Sequence, residues 1–375
     1  MKIFYVSNQI TSGAFKSLFD FGEKTPGQQV QKFNRLLSEG LSENDNDVIN
    51  VSVPPVTPGN CKKLFPKLND EKNFHYINVI NLPVIKNIIT GIKTRAFIMK
   101  NAQPGDAVVA DLLCASGSRG ALRAARKKNV ATVGIVTDLP KYLPGRAGSA
   151  PFIKLFKKNA ELCSGYVLMT MAMHEELPKD KTFIVIEGMA EDPLTEKAVS
   201  KGDYCLYAGG LEEAYGVRDM VTAFINIHEK HPETTLRIYG NGTLREWISE
   251  KSNEYPFIEY LGQKPNETVV MDEINARLLI NPRPASGDFT AFSFPSKNLE
   301  YLATGTPVLC YMLPGMPEVY KSYILEIGDS LEKSLDNALS NDNSQMGQKA
   351  RAFVLDRKNK KAQAKNLDAM IKAIN

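Results

Sequence analysis

Leu278-Leu279-Ile280-Asn281-Pro282-Arg283 and Phe292-Ser293-Phe294-Pro295-Ser296-Lys297-Asn298-Leu299-Glu300-Tyr301-Leu302-Ala303-Thr304-Gly305-Thr306-Pro307-Val308-Leu309 carry the most information in this chain. The first run is apolar up to Asn281 and reads as a buried strand, followed by a loop. A helix is expected to start near Pro295, a residue tolerated in a first turn. Gly305 ends it, Pro307 prevents its continuation, and a further strand follows at 308–311. Ser296, Lys297 and Glu300 fall three or four residues apart, on one helix face. That face lies at the carboxyl end of a parallel strand, where open α/β sheets bind ligands. A helix N-terminus bearing Ser and Lys favours a phosphate, and a carboxylate one turn on can accept two ribose hydroxyls. An ordinary first-turn cap with an i,i+3 Lys–Glu pair accounts for the same spacing equally well.

Working outward, the pattern of strand and helix repeats on both sides. Candidate strands lie at 2–7, 48–53, 76–80, 107–111, 131–137, 166–170 and 182–186. Val30, Phe33, Leu37 and Leu41 mark a helix over 27–41, and 122–128 reads as a short basic helix. The pattern restarts with strands at 204–207, 236–239, 257–260 and 278–281, and helices at 217–228, 244–251 and 297–303. Two successive βα arrays predict an α/β protein of two doubly wound domains. The expected division is an N-terminal domain over 1–190, a second over 191–349, and a Lys-rich tail helix over 350–375. The 375 residues, 43% hydrophobic and 23% charged, suit two such domains and argue against wholesale disorder. A formal charge of +4 gives no reason to expect a nucleic-acid partner.

Several signals read as structural. Cys61, Cys114, Cys163, Cys205 and Cys310 are widely spaced, without a CxxC pair, as reduced core thiols would be. The four histidines show no metal spacing, and His228 and His231 read as a helix end. Trp247 reads as core of an amphipathic helix. Asp45-Asn46-Asp47 spells a metal-binding triplet but precedes a strand, at the wrong end for a site. No metal and no cofactor are expected. Met1 leads directly into a strand pattern, and no run of about 18 apolar residues occurs, so a cytoplasmic chain without a membrane span is expected.

The C-terminal half resembles a known family. Ser293–Leu309 is similar to the donor motif of the family-4 retaining glycosyltransferases, most closely their bacterial polysaccharide-assembly branch, with its NPR, SFPSK, EY and GTPV pattern. Tyr207-Ala208-Gly209-Gly210-Leu211, Leu236 to Gly242, and Tyr260-Leu261-Gly262-Gln263 resemble further segments of that family. The likeness covers about 204–320 well and the N-terminal half loosely. It implies the GT-B fold, two Rossmann-like domains facing across a cleft. The implied reaction is retaining transfer of a hexose from a nucleotide diphosphate sugar, a UDP-sugar, to a saccharide acceptor in surface polysaccharide or glycoconjugate synthesis.

By the same resemblance Glu300 holds the donor ribose, Arg283 and Lys297 face the diphosphate, and Gln263 and Lys264 lie near the base. The family's usual basic pair in the first donor loop is replaced here by Gly210 and Tyr215, and an acidic position by Phe292. Asp288 is the residue left to take over that acid's contact with the sugar. In the N-terminal half, Gly13 allows the close backbone approach that a phosphate-facing loop requires, although a plain βα turn explains it too. Asp138, in Thr137-Asp138-Leu139-Pro140, matches the place of the family's active-site loop and is a candidate contact to donor sugar or acceptor; a turn-starting Asp is the other reading. Apolar residues alternate with lysines at 84–93 and 152–158, as in segments that rest on the inner face of an anionic membrane, where the acceptor would be lipid-linked. Helices packed on the sheet with lysines in water fit the same residues. A nucleotide-sugar epimerase of the same fold, or a binding protein without catalysis, stays open as an alternative.

Overall fold

The computed structural model describes residues 1–19, 28–193 and 201–375. In chain order the strands are β1 (Lys2–Ser7), β2 (Asp47–Ser52), β3 (Phe74–Tyr76), β4 (Ala107–Asp111), β5 (Ala131–Val136), β6 (Gly165–Leu168), β7 (Thr182–Val185), β8 (Tyr204–Gly210), β9 (Thr235–Asn241), β10 (Ile258–Gly262), β11 (Leu278–Asn281), β12 (Val308–Cys310) and β13 (Leu325–Glu326). The helices are α1 (Ser12–Leu18), α2 (Gln28–Glu43), α3 (Pro83–Asn101), α4 (Ala115–Lys127), α5 (Ala150–Ala160), α6 (Val217–Ile227), α7 (Arg245–Glu254), α8 (Asn266–Asn275), α9 (Ser296–Thr304), α10 (Leu331–Ser340), α11 (Ser344–Arg357) and α12 (Lys360–Ile374). They form two compact units: Met1–Met189 with Lys360–Asn375, and Ala190–Asn359.

The first unit is a parallel sheet in the order β3-β2-β1-β4-β5-β6-β7. Its central strands are buried on both faces, which is why they read as unbroken apolar runs. Alternate residues of β1 serve opposite layers. Ile3 and Tyr5 pack with Leu37 and Leu41 of α2 and Leu367 and Ile371 of α12. Phe4 meets Phe97 of α3 edge-on. Helices α3 and α4 cross closely at Gly91 and Gly120, where a side-chain carbon on Gly120 would lie 2.3 Å from the Gly91 carbonyl.

The second unit is a parallel sheet in the order β10-β9-β8-β11-β12-β13. Strand order reverses at β8, between β9 and β11, which makes the carboxyl ends of these strands the switch point of a doubly wound sheet. The core is built from β8, β9 and β11 with Val217, Met220, Phe224 and Ile227 of α6 and Leu335 and Leu339 of α10.

Three expectations need correction. The third strand covers 74–76, not 76–80: the Asn78 side chain bonds both backbone groups of Leu68, which turns this stretch into a loop. The helix expected at 122–128 begins at Ala115, because small residues and Ser118, whose hydroxyl bonds the Asp111 carbonyl, extend it toward β4. The tail is two helices, not one. Asn359 bonds the Leu355 and Asp356 carbonyls and closes α11, so residues 350–359 belong to the second unit and only α12 returns to the first. Trp247 packs from α7 against the core of the second unit but stays half-buried, with the Arg218 guanidinium 4.2 Å over its ring. The five cysteines are free and buried, and Asp45 turns with φ 60° ahead of β2. Residues 20–27 and 194–200, which include Gly27 and Thr195, lie outside the described residues, as does the side chain of Val30.

Candidate functional site in the second unit

The carboxyl ends of β8 and β11 are tied to α9 by side chains. The Ala208 amide donates to the Tyr301 hydroxyl at 2.9 Å, and that hydroxyl donates to the Ala208 carbonyl at 3.3 Å. Asn281, closing β11, donates to Asn298 at 2.6 Å. Helix α9 therefore starts at a fixed place beside the strand ends. Its N-cap is Pro295, which has no side-chain acceptor, so Ser296 and Lys297 open a helix whose first amides no cap side chain satisfies.

Arg283 follows β11 by two residues and is half-buried. Its position is set by Gly216, which sits at φ 70° as the N-cap of α6; a side-chain carbon there would lie 2.2 Å from the Pro282 carbonyl oxygen. One Arg283 Nη donates to the Ser293 hydroxyl at 3.3 Å. Its Nε is buried without a hydrogen bond, and among the described residues it forms no ion pair. The rings of Tyr215 and Phe289 flank it, their centroids 5.8 Å and 5.3 Å from the guanidinium carbon. Burial pulls its pKa below the usual arginine value, yet an arginine stays charged near neutrality. A desolvated cation without a carboxylate is costly, and an anionic ligand would complete it.

Lys297 is placed differently. Its ammonium lies 3.4 Å from Glu300 and 3.8 Å from Glu273, a buried carboxylate on α8. The lysine therefore already faces two negative charges. Sequence reasoning missed Glu273. Its spacing of four from Val269 on the inward side of α8 was the available signal, but Pro265 and the charged residues around it hid that helix. It also missed Tyr301 as the link between α9 and β8. Lys201 donates its ammonium to the Ile274 and Ala276 carbonyls and to Thr306, and desolvation of that ammonium lowers its pKa to about 8. It closes the end of α8 and is structural.

The remaining predicted residues separate into two groups. Glu300 and Ser296 are half-buried on α9, and Gln263 and Lys264 are exposed in the loop after β10, where Gly262 turns with φ 66°. Asp288 opens a short turn between Arg283 and α9, and its side chain lies outside the described residues. Gly13 and Asp138 belong to the first unit. Gly13 is exposed in the first turn of α1, capped by Thr11, with ordinary helical geometry. Asp138 follows β5 and is half-buried, and burial raises its pKa. Near it, Asp111 is fully buried. It accepts from Asn34 and from the Leu113 amide, and burial pushes its pKa up to about 6.

Comparison with known proteins agrees with this architecture. Residues 191–354 match the model of the family described as glycosyl transferases group 1. A stretch of 116 residues is 27% identical to glycogen synthase of Mycobacterium tuberculosis, covering 30% of this chain and 27% of that protein. The chain thus spans about a quarter of the length of that relative. Among solved structures, sucrose-phosphate synthase from Thermosynechococcus elongatus is similar over 100% of this chain and 98% of its own, with TM-score 0.63 and 15% identity. Anabaena HepE, solved in complex with UDP, is similar over 100% of both chains, with TM-score 0.62 and 12% identity. The chain has the GT-B fold of two Rossmann-like units, and its residues 191–354 match the glycosyl transferases group 1 model.

Proposed function

We propose that the chain is a retaining glycosyltransferase of family 4, in the bacterial polysaccharide-assembly branch, that moves a hexose from a UDP-sugar to a saccharide acceptor. The observation that carries this reading is Arg283: a half-buried guanidinium with no carboxylate partner among the described residues, at the switch point of a parallel sheet. A nucleotide diphosphate supplies the missing charge. The group 1 match over the same unit and a structural neighbour solved with UDP support the donor class. As the bond from sugar to diphosphate breaks, negative charge grows on the leaving group, and Arg283 stabilises that charge more than the ground state. Lys297 shares the task once the donor displaces part of its contact with Glu300, which turns to the ribose. Ser296 and the open amides of α9 receive phosphate oxygens. Gln263 and Lys264 lie near the base, Asp288 contacts the sugar, and Gly13 and Asp138 serve donor or acceptor from the first unit. The acceptor hydroxyl attacks on the face from which the diphosphate leaves. No metal is required, since side-chain cations carry the charge.

Calorimetry with UDP and UDP-hexoses on the wild type and Arg283→Ala tests the reading. Binding to the wild type that is lost in the variant supports it, and equal affinity of the two sinks it. Binding without transfer is the second reading. One observation favours it: the Tyr215 ring occupies the flank of Gly210 where the family places a cation. A bound donor with neither transfer nor hydrolysis would select it.

A further inference from the structure

Seven of the large apolar side chains exposed among the described residues lie together in sequence: Leu64, Phe65, Leu82, Val84, Ile85, Ile88 and Ile92, with Val84 69% and Phe65 67% exposed. Helix α3 buries Thr90, Thr94 and Ile98 and crosses α4 at Gly91. Val84, Ile88 and Ile92, four residues apart, are left on its outer face. The loop bearing Leu64 and Phe65 is fastened to the start of this helix. The Asn81 amide donates to the Leu64 carbonyl and its side chain to the Cys61 carbonyl, both at 2.8 Å. The apolar residues therefore form one patch, not scattered exposures.

The charge around the patch is one-sided. α3 carries Lys86, Lys93, Arg95 and Lys100; α4 carries Arg119, Arg123, Arg126 and Lys127; α5 carries Lys154, Lys157 and Lys158. None of the three helices has an acidic residue, although the whole chain is only +4. They pack in series on one layer, α3 on α4 and α4 on α5. The apolar residues of α5 itself, Phe152 and Ile153, are half-buried, so the exposed apolar face belongs to α3 and the preceding loop. A protein partner would match an apolar patch with apolar surface but gives no reason for three adjacent helices that carry basic residues and no acidic one. A bilayer with anionic headgroups matches both.

We propose that the outer face of α3, with Leu64 and Phe65, inserts into the headgroup region of an anionic membrane while the basic residues of α3, α4 and α5 engage lipid phosphates. The lipid, not a second protein chain, is the occupant. This proposal does not depend on the donor reading.

Flotation of the full chain with phosphatidylcholine vesicles, alone or containing about 30% phosphatidylglycerol, tests it. Binding to the anionic vesicles is expected to be at least about tenfold tighter and to weaken in about 0.5 M salt. Val84→Glu with Ile88→Glu should lose about tenfold, and Arg123→Glu with Lys127→Glu several-fold, with the circular dichroism spectrum of the fold unchanged in both. Should the glutamate variant fail to fold, Ile88→Trp in a Trp247→Phe background should shift its emission to the blue on anionic vesicles. Equal binding to both vesicle types, full binding by the glutamate variant, or an unshifted tryptophan overturns the proposal. So does a wild-type dimer that the glutamate pair converts to a monomer, which would assign the face to a second copy.

Discussion

The Tyr215 ring lies close to both Gly210 and Arg283: its edge would lie 2.9 Å from a side-chain carbon added at Gly210, and its centroid is 5.8 Å from the guanidinium carbon. An aromatic face on an arginine holds the cation in place without neutralising it. The charge of Arg283 stays available for a ligand, whereas that of Lys297 is divided between two carboxylates.

Arg283→Ala should therefore be the more damaging of the two cation removals. A loss of roughly 2–4 kcal/mol of transition-state stabilisation is expected, by analogy with removing one preorganised donor. It should appear in turnover and not only in KM. Steady-state kinetics of both alanine variants check it, and near-normal turnover in Arg283→Ala would remove the residue from the mechanism.

Tyr215→Ala should raise KM for the donor a few-fold with little change in turnover, since an exposed cation–π contact contributes about 0.5–1 kcal/mol. A collapse of turnover would mean that the ring does more than hold the arginine.

Lys297→Met leaves Glu273 and Glu300 without the cation near both. Breaking a buried pair costs about 3–5 kcal/mol; here about 2 kcal/mol is expected, because Lys297 is itself one-third exposed. Adding Glu273→Gln should recover most of it. Urea unfolding of the single and double variants measures this, and a single variant as stable as wild type contradicts the arrangement.

The buried Asp111 makes stability depend on pH. Its folded pKa of about 6 lies above the value of 3.8 for a free carboxyl, so the native state holds the proton more tightly. The resulting stabilisation is full below the free value and lost as pH rises through about 6, a change on the order of 2–3 kcal/mol. Asp111→Asn removes this component. Its stability relative to wild type should therefore improve between pH 4 and 7, and a pH-independent difference would show that Asp111 does not titrate there.

Transfer should continue unchanged in a chelator. Activity that disappears with chelator and returns with magnesium or manganese would refute charge stabilisation by side chains alone.

The second unit was legible because its signals are local. Pro295, Gly305 and Pro307 bound α9, and the apolar run at 278–281 is a strand in any context. Glu273 was not legible, because its proximity to Lys297 depends on how α8 packs, 24 residues away in sequence. The tail misled for a similar reason: Lys358 and Asn359 carry no proline or glycine, and the break follows from Asn359 capping α11. In the first unit, strand positions could be read from apolar runs, but Asp138 rested on family likeness and Gly13 on the backbone freedom of a glycine after a strand, and the structure gives Gly13 only ordinary helical geometry.

Helix α12 bears on the order in which the protein can form during synthesis. Ala364, Leu367 and Ile371 are fully buried in the core of a unit whose other residues all precede 190. A ribosome that has released the first seven strands has thus produced a domain with an open hydrophobic seam against α2. The intervening unit, by contrast, is continuous from 190 to 359 and needs nothing made later. The unit translated first is therefore the last to close, and its nascent form is the one exposed to chaperones and proteases.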